Sequence, residues 1–579
     1  MRLRRRFFAL SCAVAAACFA AGVRAQADAA APNAQSPLVA RAIREWITAF
    51  EQGRLGARAV LQAGDDRQPA YVAPARAAGY VTAGDATRIT HGEALQKLMF
   101  HAERWPDAEL GAALLGVAAI GLEGVFLDRD AIELRERGHA ALLRGEDARV
   151  WSVVLRAAAG ERLALGSQGG VDGRADAAVV PGPARRVAAL RLLGARNRPA
   201  YRSTVEGALL DPDPRVRLGA AEAVAGPWRA ETLRIVQAAL AGERHPVVSQ
   251  ALVRLVLAIR RAPPAEVGPE ALDELAMAAL ERFGRCGWRT DMDLLDLVAS
   301  CPRKAQVPLL LRGLDATTRA PDRLLGAANE RASPLLRERL CELLRAMTGA
   351  IVAGDDPQGW RDFWAREQDR VMVPDPLPLQ RGEATKAQFF GVPVAGGAVA
   401  FLLDTSGSMG DDLDDAAEAG RRRAPPTRLA KAKQQLLLAA QALPAGTTVR
   451  VFTFADQAKA WTPEPVTPTA ANLRELTGVL SRMRAHGGTD LHQGLVAALG
   501  LRDQRFGELG DAAVDELFVL SDGVPTTGDM QEGADILREV REANRYAKVR
   551  IHCVFTGQGR GAELLRALAE ENGGVFVRR

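Results

Sequence analysis

The 579 residues carry 75 Lys and Arg against 70 Asp and Glu, a net charge of +5, with 48% hydrophobic and 25% charged positions. That length exceeds a single core, and the composition excludes a disordered or collagen-like chain. Nearly all positive charge is Arg interspersed with acidic residues, and no concentrated basic stripe marks a nucleic-acid surface.

The chain opens on "MRLRRRFFALSCAVAAACFAAGVRAQA". Arg2, Arg4, Arg5 and Arg6 form a basic head, an apolar run from Phe7 to Val23 follows, and small residues at Ala25 and Ala27 offer cleavage points. This is the layout of a secretory signal, assigned to residues 1–25. An uncleaved anchor fits less well, because the run is barely long enough to span a bilayer. The expected destination is the periplasm, the cell surface or the medium, with no membrane span in the mature chain. Residues 26–35 read as a flexible exit. Outside the signal, Cys286, Cys301, Cys341 and Cys553 form no C-x-x-C pair, so a structural zinc site is not expected. Isolated buried thiols are favoured over a disulfide of Cys286 with Cys301 or Cys341.

Residues 36–370 read as an all-α region. "SPLVARAIREWITAFEQG" places Ser36 at the cap, Pro37 at the first helical position, and Leu38, Ile43, Trp46, Ile47 and Phe50 on one face. "GPARRVAALRLLG", "DPRVRLGAAEAVAG" and "HPVVSQALVRLVLA" align on Pro183, Pro214 and Pro246, a period in the range of paired-helix solenoids. The segment "LLDPDPRVRLGAAEAV" resembles a HEAT repeat, which implies an inward stripe of Val216, Ala220 and Val224. A helix carrying Trp360 and Trp364 ends the region, and residues 371–388, with three prolines, read as a linker.

From residue 389 onward apolar strands alternate with amphipathic helices. "GGAVAFLLD", "TTVRVFTFAD", "AKAWTP", "ELFVLSD", "KVRIHCVFTG" and "VFVRR" are strand candidates. "TRLAKAKQQLLLAAQAL", "AANLRELTGVLSRMR", "TDLHQGLVAALGL", "MQEGADILREVREANRYA" and "AELLRALAEENG" are helix candidates, the third capped by Thr489 or Asp490. That alternation predicts a mainly parallel, doubly wound, Rossmann-like α/β sheet over residues 389–579.

Ligands of such sheets sit beyond the carboxyl ends of the strands, where strand order reverses. Three segments place polar groups there: "DTSGS" with Asp404, Ser406 and Ser408, "HGGTD" with Thr489, and "LSDG" with Asp522. Two carboxylates and three hydroxyls make an all-oxygen donor set suited to a hard divalent cation. The pattern resembles the von Willebrand factor type A (VWA) domain with its metal-ion-dependent adhesion site, over about residues 391–579. The resemblance implies that Asp404, Ser406, Ser408, Thr489 and Asp522 hold Mg²⁺ (or Mn²⁺ or Ca²⁺), some directly and some through water. It further implies a non-catalytic adhesion or scaffold protein that grips a carboxylate on a protein partner. "FFGVPV" before the first strand and "LLRALAEENGGVFV" at the end extend the likeness. Helical repeats followed by this domain resemble exported bacterial proteins of that class.

Two other functions stay open: an accessory subunit of an ATPase or metal-insertion complex, and a hydrolase using Ser406 or Ser408. The hydrolase lacks a G-x-S-x-G elbow, although His486 and His492 flank the second loop. "TGQGRGA" fits G-x-G-x-x-A, but follows a late strand and reads better as a glycine-rich connection. Two features depart from the VWA pattern. "GDDLDDAAEAGRRRAPP" separates the first loop from its helix, and Asp411, Asp412, Asp414 or Asp415 folding back onto the site competes with a solvated loop. The sequence also offers no helix after the last strand, so the sliding-helix switch of integrin inserted domains is not expected, and the Trp360–Trp364 helix is a candidate cover for the vacant sheet face.

Overall fold

The computed structural model describes residues 36–51, 97–102, 108–122, 129–163, 180–318, 333–350, 352, 356–378, 387–411, 426–501, 506–508, 514–559 and 561–579. The expected signal, the exit segment and most of the charged insert (412–425) lie outside the described residues. The chain divides into two compact units that meet at Ala225 and Gly226. Among the described residues, no helix is long and apolar enough to cross a membrane, and Cys286, Cys301, Cys341 and Cys553 are buried free thiols.

The first unit is helical: α1 (Ser36–Glu51), α2 (Ala108–Ala118), α3 (Arg129–Arg144), α4 (Ala148–Ala158), α5 (Pro183–Arg196), α6 (Arg202–Gly207) and α7 (Pro214–Ala223). Ile43, Trp46 and Ile47 of α1 are buried, as their shared face requires. Pro183 and Pro214 each occupy the first turn of a helix, where a missing N–H costs nothing. Asp213 caps α7 by accepting from Arg215 N at 2.8 Å. Val216, Ala220 and Val224, the expected inward stripe, are all buried.

The second unit begins with seven more helices: α8 (Ala230–Gly242), α9 (Pro246–Arg261), α10 (Pro269–Leu280), α11 (Trp288–Ser300), α12 (Val307–Thr318), α13 (Pro334–Thr348) and α14 (Pro357–Glu367). The unit boundary thus falls inside the helical region, and residues 371–378 lie within the second unit. Trp360 is fully buried and meets Phe363 edge-on at 6.2 Å. Helix α14 packs on α12, where Arg361 pairs with Asp315. The Trp360–Trp364 helix therefore packs on a helical neighbour rather than on the sheet, correcting the expectation that it covers a sheet face.

The α/β part follows: hairpin β1 (Gln388–Phe389) and β2 (Val392–Pro393), then β3 (Ala398–Asp404), α15 (Arg428–Ala442), β4 (Thr448–Phe454), β5 (Ala458–Ala460) and α16 (Ala470–Arg482). It ends with α17 (Leu491–Leu499), β6 (Glu516–Ser521), α18 (Gly533–Ala547), β7 (Arg550–Phe555), α19 (Gly561–Glu571) and β8 (Phe576–Arg578). The sheet order is β5-β4-β3-β6-β7-β8. Within this sheet, among the described residues, only the β4–β5 pair of strands is antiparallel.

Alternation along β3 sorts the core. Ala400 and Leu402 face the layer made by α17, α18 and α19. Val399, Phe401 and Leu403 face α15, α16 and the β1–β2 hairpin. The hairpin packs in this layer beside the helices. Phe389 meets Phe401 at 5.1 Å and Phe518 at 5.8 Å, both edge-on, and Phe518 stacks on His552 at 4.7 Å. Its turn holds Phe390 and Gly391 at φ 49° and 81°, the left-handed pair that a two-residue hairpin favours. Arg579 Nη2 donates to Phe390 O at 2.8 Å and fastens it.

Charged groups cluster at the amino ends of the strands. Glu516, fully buried, accepts from Ala395 N at 2.9 Å and Gly396 N at 2.8 Å, with His552 Nε2 at 3.2 Å and Arg550 Nη1 at 3.6 Å. His552 Nδ1 accepts from Val575 N at 3.0 Å, which leaves Nε2 to donate to Glu516. The helical neighbours dock at this same end. Asp293 of α11 binds Lys548 Nζ at 2.5 Å, and Arg289 Nε donates to Ala547 O at 2.6 Å. These contacts lie at the end of the sheet opposite Asp404 and Asp522.

Candidate metal centre

Strand order reverses at β3, which has β4 on one side and β6 on the other. Asp404 is the last residue of β3, and Asp522 follows the last residue of β6. Register pairs Leu403 with Leu520, so the next residue of each strand, Asp404 and Ser521, face one another. Ser521 Oγ donates to Asp404 Oδ2 at 2.5 Å, and Ser406 N donates to Asp404 Oδ1 at 2.8 Å. The chain then winds into a short 3-10 turn, Gly407–Gly410. This brings Ser408 Oγ within 3.3 Å of Ser406 Oγ and within 2.8 Å of Asp522 Oδ1. Asp404, Ser406, Ser408 and Asp522 thus form one continuous hydrogen-bonded cluster.

Thr489 arrives on the second loop. Asp490 caps α17, accepting from Gln493 N at 2.9 Å, so the cap falls to the later of the two candidates. The Thr489 backbone is bonded to the segment after the third loop at both its groups: its N–H donates to the Thr526 hydroxyl at 2.9 Å and its carbonyl accepts from Thr526 N at 2.9 Å. The first two loops are stitched by Gly407 N to Gly487 O at 3.0 Å and His486 N to Thr405 O at 2.8 Å. Glycine is required in this turn, because Gly487 has φ 76° and a Cβ there would lie 2.3 Å from Asp456 Oδ2. The Thr489 hydroxyl lies against Gly523, where a Cβ would be 3.9 Å from Oγ1.

Asp404 is fully buried. Burial raises its pKa from 3.8 to about 6 and the nearby Asp522 charge adds to the rise, while the hydrogen bonds from Ser406 and Ser521 oppose it. The Asp522 side chain is also buried, whereas Ser408 and Gly407 are exposed and form the mouth. Two acidic groups held close together, with hydroxyls beside them, suit a small hard cation. Among the described residues there is no cluster of three or more His, Cys, Asp or Glu side chains able to hold a metal. The oxygens beside the two carboxylates are the hydroxyls of Ser406 and Ser408.

Three further residues around the cluster escaped the sequence. Ser521 sits one position before Asp522 and is easily taken for the end of a strand. Arg428 opens α15, and its Nη1 donates to Asp522 Oδ2 at 2.7 Å. Gly557, in "TGQGRGA", backs the third loop: a Cβ there would lie 2.0 Å from Asp522 O. That glycine-rich segment is a close-packed connection between β7 and α19. Gly557→Ala is expected to push Asp522 out of place and weaken divalent-metal binding about 10- to 100-fold, as supporting-shell changes do. Calorimetric titration beside a melting curve checks it, and the prediction fails if affinity is unchanged.

Residues 397–577 match the family model described as the von Willebrand factor type A domain. Inter alpha-trypsin inhibitor heavy chain 4 of Mus musculus is 26% identical over 189 residues, 32% of this chain and 18% of the relative. Human von Willebrand factor A domain-containing protein 3A is 28% identical over 180 residues, 31% of this chain and 13% of the relative. The chain thus spans less than a fifth of the length of these relatives. Among solved structures, a von Willebrand factor type A protein from Catenulispora acidiphila aligns at 21% identity and TM-score 0.23, covering 31% of this chain and 38% of that one. The six-stranded sheet, its flanking helices and the family match together identify residues 397–577 as a von Willebrand factor type A domain.

Proposed function

We propose that this chain is a non-catalytic binding protein whose VWA domain holds a divalent cation and, through it, an acidic group of a protein partner. Asp404, Ser406, Ser408, Thr489 and Asp522 hold the ion, with Mg²⁺ the first candidate and Mn²⁺ or Ca²⁺ the alternatives. The observation that carries this reading is the bonded cluster of Asp404, Ser406, Ser408 and Asp522 at the point where strand order reverses. A divalent ion between two carboxylates is at most neutralised, and hydroxyls add no charge. It therefore stays able to accept a carboxylate from outside, at the mouth where Ser408 is exposed. The chain's own groups do the rest: Ser521 and Ser406 N orient Asp404, and the paired loops hold Thr489. The helical region supplies a scaffold or second contact surface, HEAT-like in its proline-led helices, and the N-terminal signal directs the protein to the periplasm, cell surface or medium.

Hydrolysis is disfavoured by the same geometry. Among the described residues, neither serine hydroxyl is bonded to a histidine, and His492 Nε2 sits 2.7 Å from Glu539. Calorimetric titration of the full chain with MgCl₂ and MnCl₂ tests the site; no binding heat with either ion refutes it. A pull-down from envelope extracts with and without chelator tests the grip, and a partner released by chelator is the expected result.

A further inference from the structure

The cluster already contains a cation of its own. Arg428 Nη1 donates to Asp522 Oδ2 at 2.7 Å and to Ser408 O at 3.2 Å, and the side chain is only 13% exposed. Two features make this an unfavourable place for an arginine. Its Nε is buried with no hydrogen-bond partner, which leaves a desolvated donor unpaid. It is also the first residue of α15, after the Thr427 cap, where the helix dipole repels positive charge. What holds the guanidinium there is the buried Asp522 carboxylate. A second acceptor stands close by: Asp411 Oδ2 lies 3.7 Å from the same Nη1, and its side chain is 70% exposed.

We propose that Arg428 is a tethered counter-cation that occupies Asp522 in the metal-free protein, and that a divalent ion must displace it to bind. The inference rests on the metal-site reading above. The site then holds one cation at a time. The double charge of the metal outcompetes Arg428, whose guanidinium moves toward Asp411. Arg428 thereby sets the metal concentration at which the domain becomes competent to bind. It is a positioning residue, acting through Asp522.

The test is calorimetric titration of full-length wild-type, R428Q and R428K proteins with MnCl₂ and MgCl₂, beside melting curves without metal. R428Q is expected to bind about tenfold tighter or more, because a positive charge hydrogen-bonded to a ligand is gone, and R428K to stay close to wild type. Equal or weaker binding by a folded R428Q overturns the proposal. Absence of binding by all three proteins removes the metal site itself, and the proposal with it. If R428Q does not fold, phenylglyoxal labelling of Arg428 in the wild type, read by peptide mass spectrometry, decides instead. Labelling is expected to quicken with Mn²⁺, and an unchanged rate at saturating metal overturns the displacement.

Discussion

Asp404→Asn is expected to abolish divalent-metal binding while leaving the metal-free domain folded and, at neutral pH, more stable than its parent. The loss follows from charge. A unit charge about 4 Å from another is worth roughly 4 kcal/mol at an effective dielectric near 20, and about 1.4 kcal/mol is tenfold, so affinity should fall about a thousandfold or more. The gain in stability follows from burial. Asp404 is fully buried, and its pKa rises from 3.8 to about 6. For a carboxyl raised on folding, the stabilising contribution is complete below the unfolded pKa and is lost as pH rises through the folded value. The metal-free wild type therefore weakens between about pH 4 and pH 6, by up to about 3 kcal/mol for a shift of roughly two units. An amide of the same shape does not titrate and escapes that loss. Urea unfolding in chelator across this range, with calorimetry for the metal, checks both halves. An Asp404→Asn protein that still binds Mg²⁺ at wild-type affinity would remove Asp404 from the site.

Glu516→Ala is expected to cost about 3–5 kcal/mol, the range for removing one member of a buried charged network. The substitution strands Ala395 N, Gly396 N and His552 Nε2 together, where the hairpin segment enters the sheet. Glu516→Gln, which keeps the shape, should cost less and reveal the electrostatic part. Burial pushes the Glu516 pKa up, but the bond and charge of His552, the Gly396 N–H and Arg550 outweigh it and hold the pKa below its usual value. The neighbouring Asp515 carboxylate is the like charge in this group. For a depressed carboxylate, stability is present above the unfolded pKa and lost as pH falls through the folded one. The wild type should thus lose stability on the acid side, below about pH 4.5, and Glu516→Gln should flatten that slope. Urea midpoints measured at intervals through the acid range decide it; parallel slopes for the two proteins would place the acid sensitivity elsewhere.

These two carboxylates were unequally legible in the sequence. Asp404 announces itself by ending an apolar run and by alternating with Ser406 and Ser408. Glu516 stands before an apolar run in "ELFVLSD" and looks like a solvated strand start, yet it is fully buried. Its partners are 36 and 120 residues away along the chain, and no local pattern encodes them. Phe389 shows the same limit. "FFGVPV" is recognisable as part of the family pattern, but that the Phe389 ring packs on Phe401 and Phe518 depends on where a two-residue hairpin folds back.

By itself the sequence determined the alternation of strands and helices after residue 389, the proline-led helix starts at Pro183, Pro214 and Pro246, and the polar side chains that end the central strands. Periodicity and capping are local, so they are written in consecutive residues. The tertiary structure alone decided that Ser521 orients Asp404 across 117 residues, that Arg428 lies on Asp522 across 94, and that Gly557 backs the same aspartate. Strand register and loop closure bring those groups together, and both depend on contacts between segments that share no sequence signal.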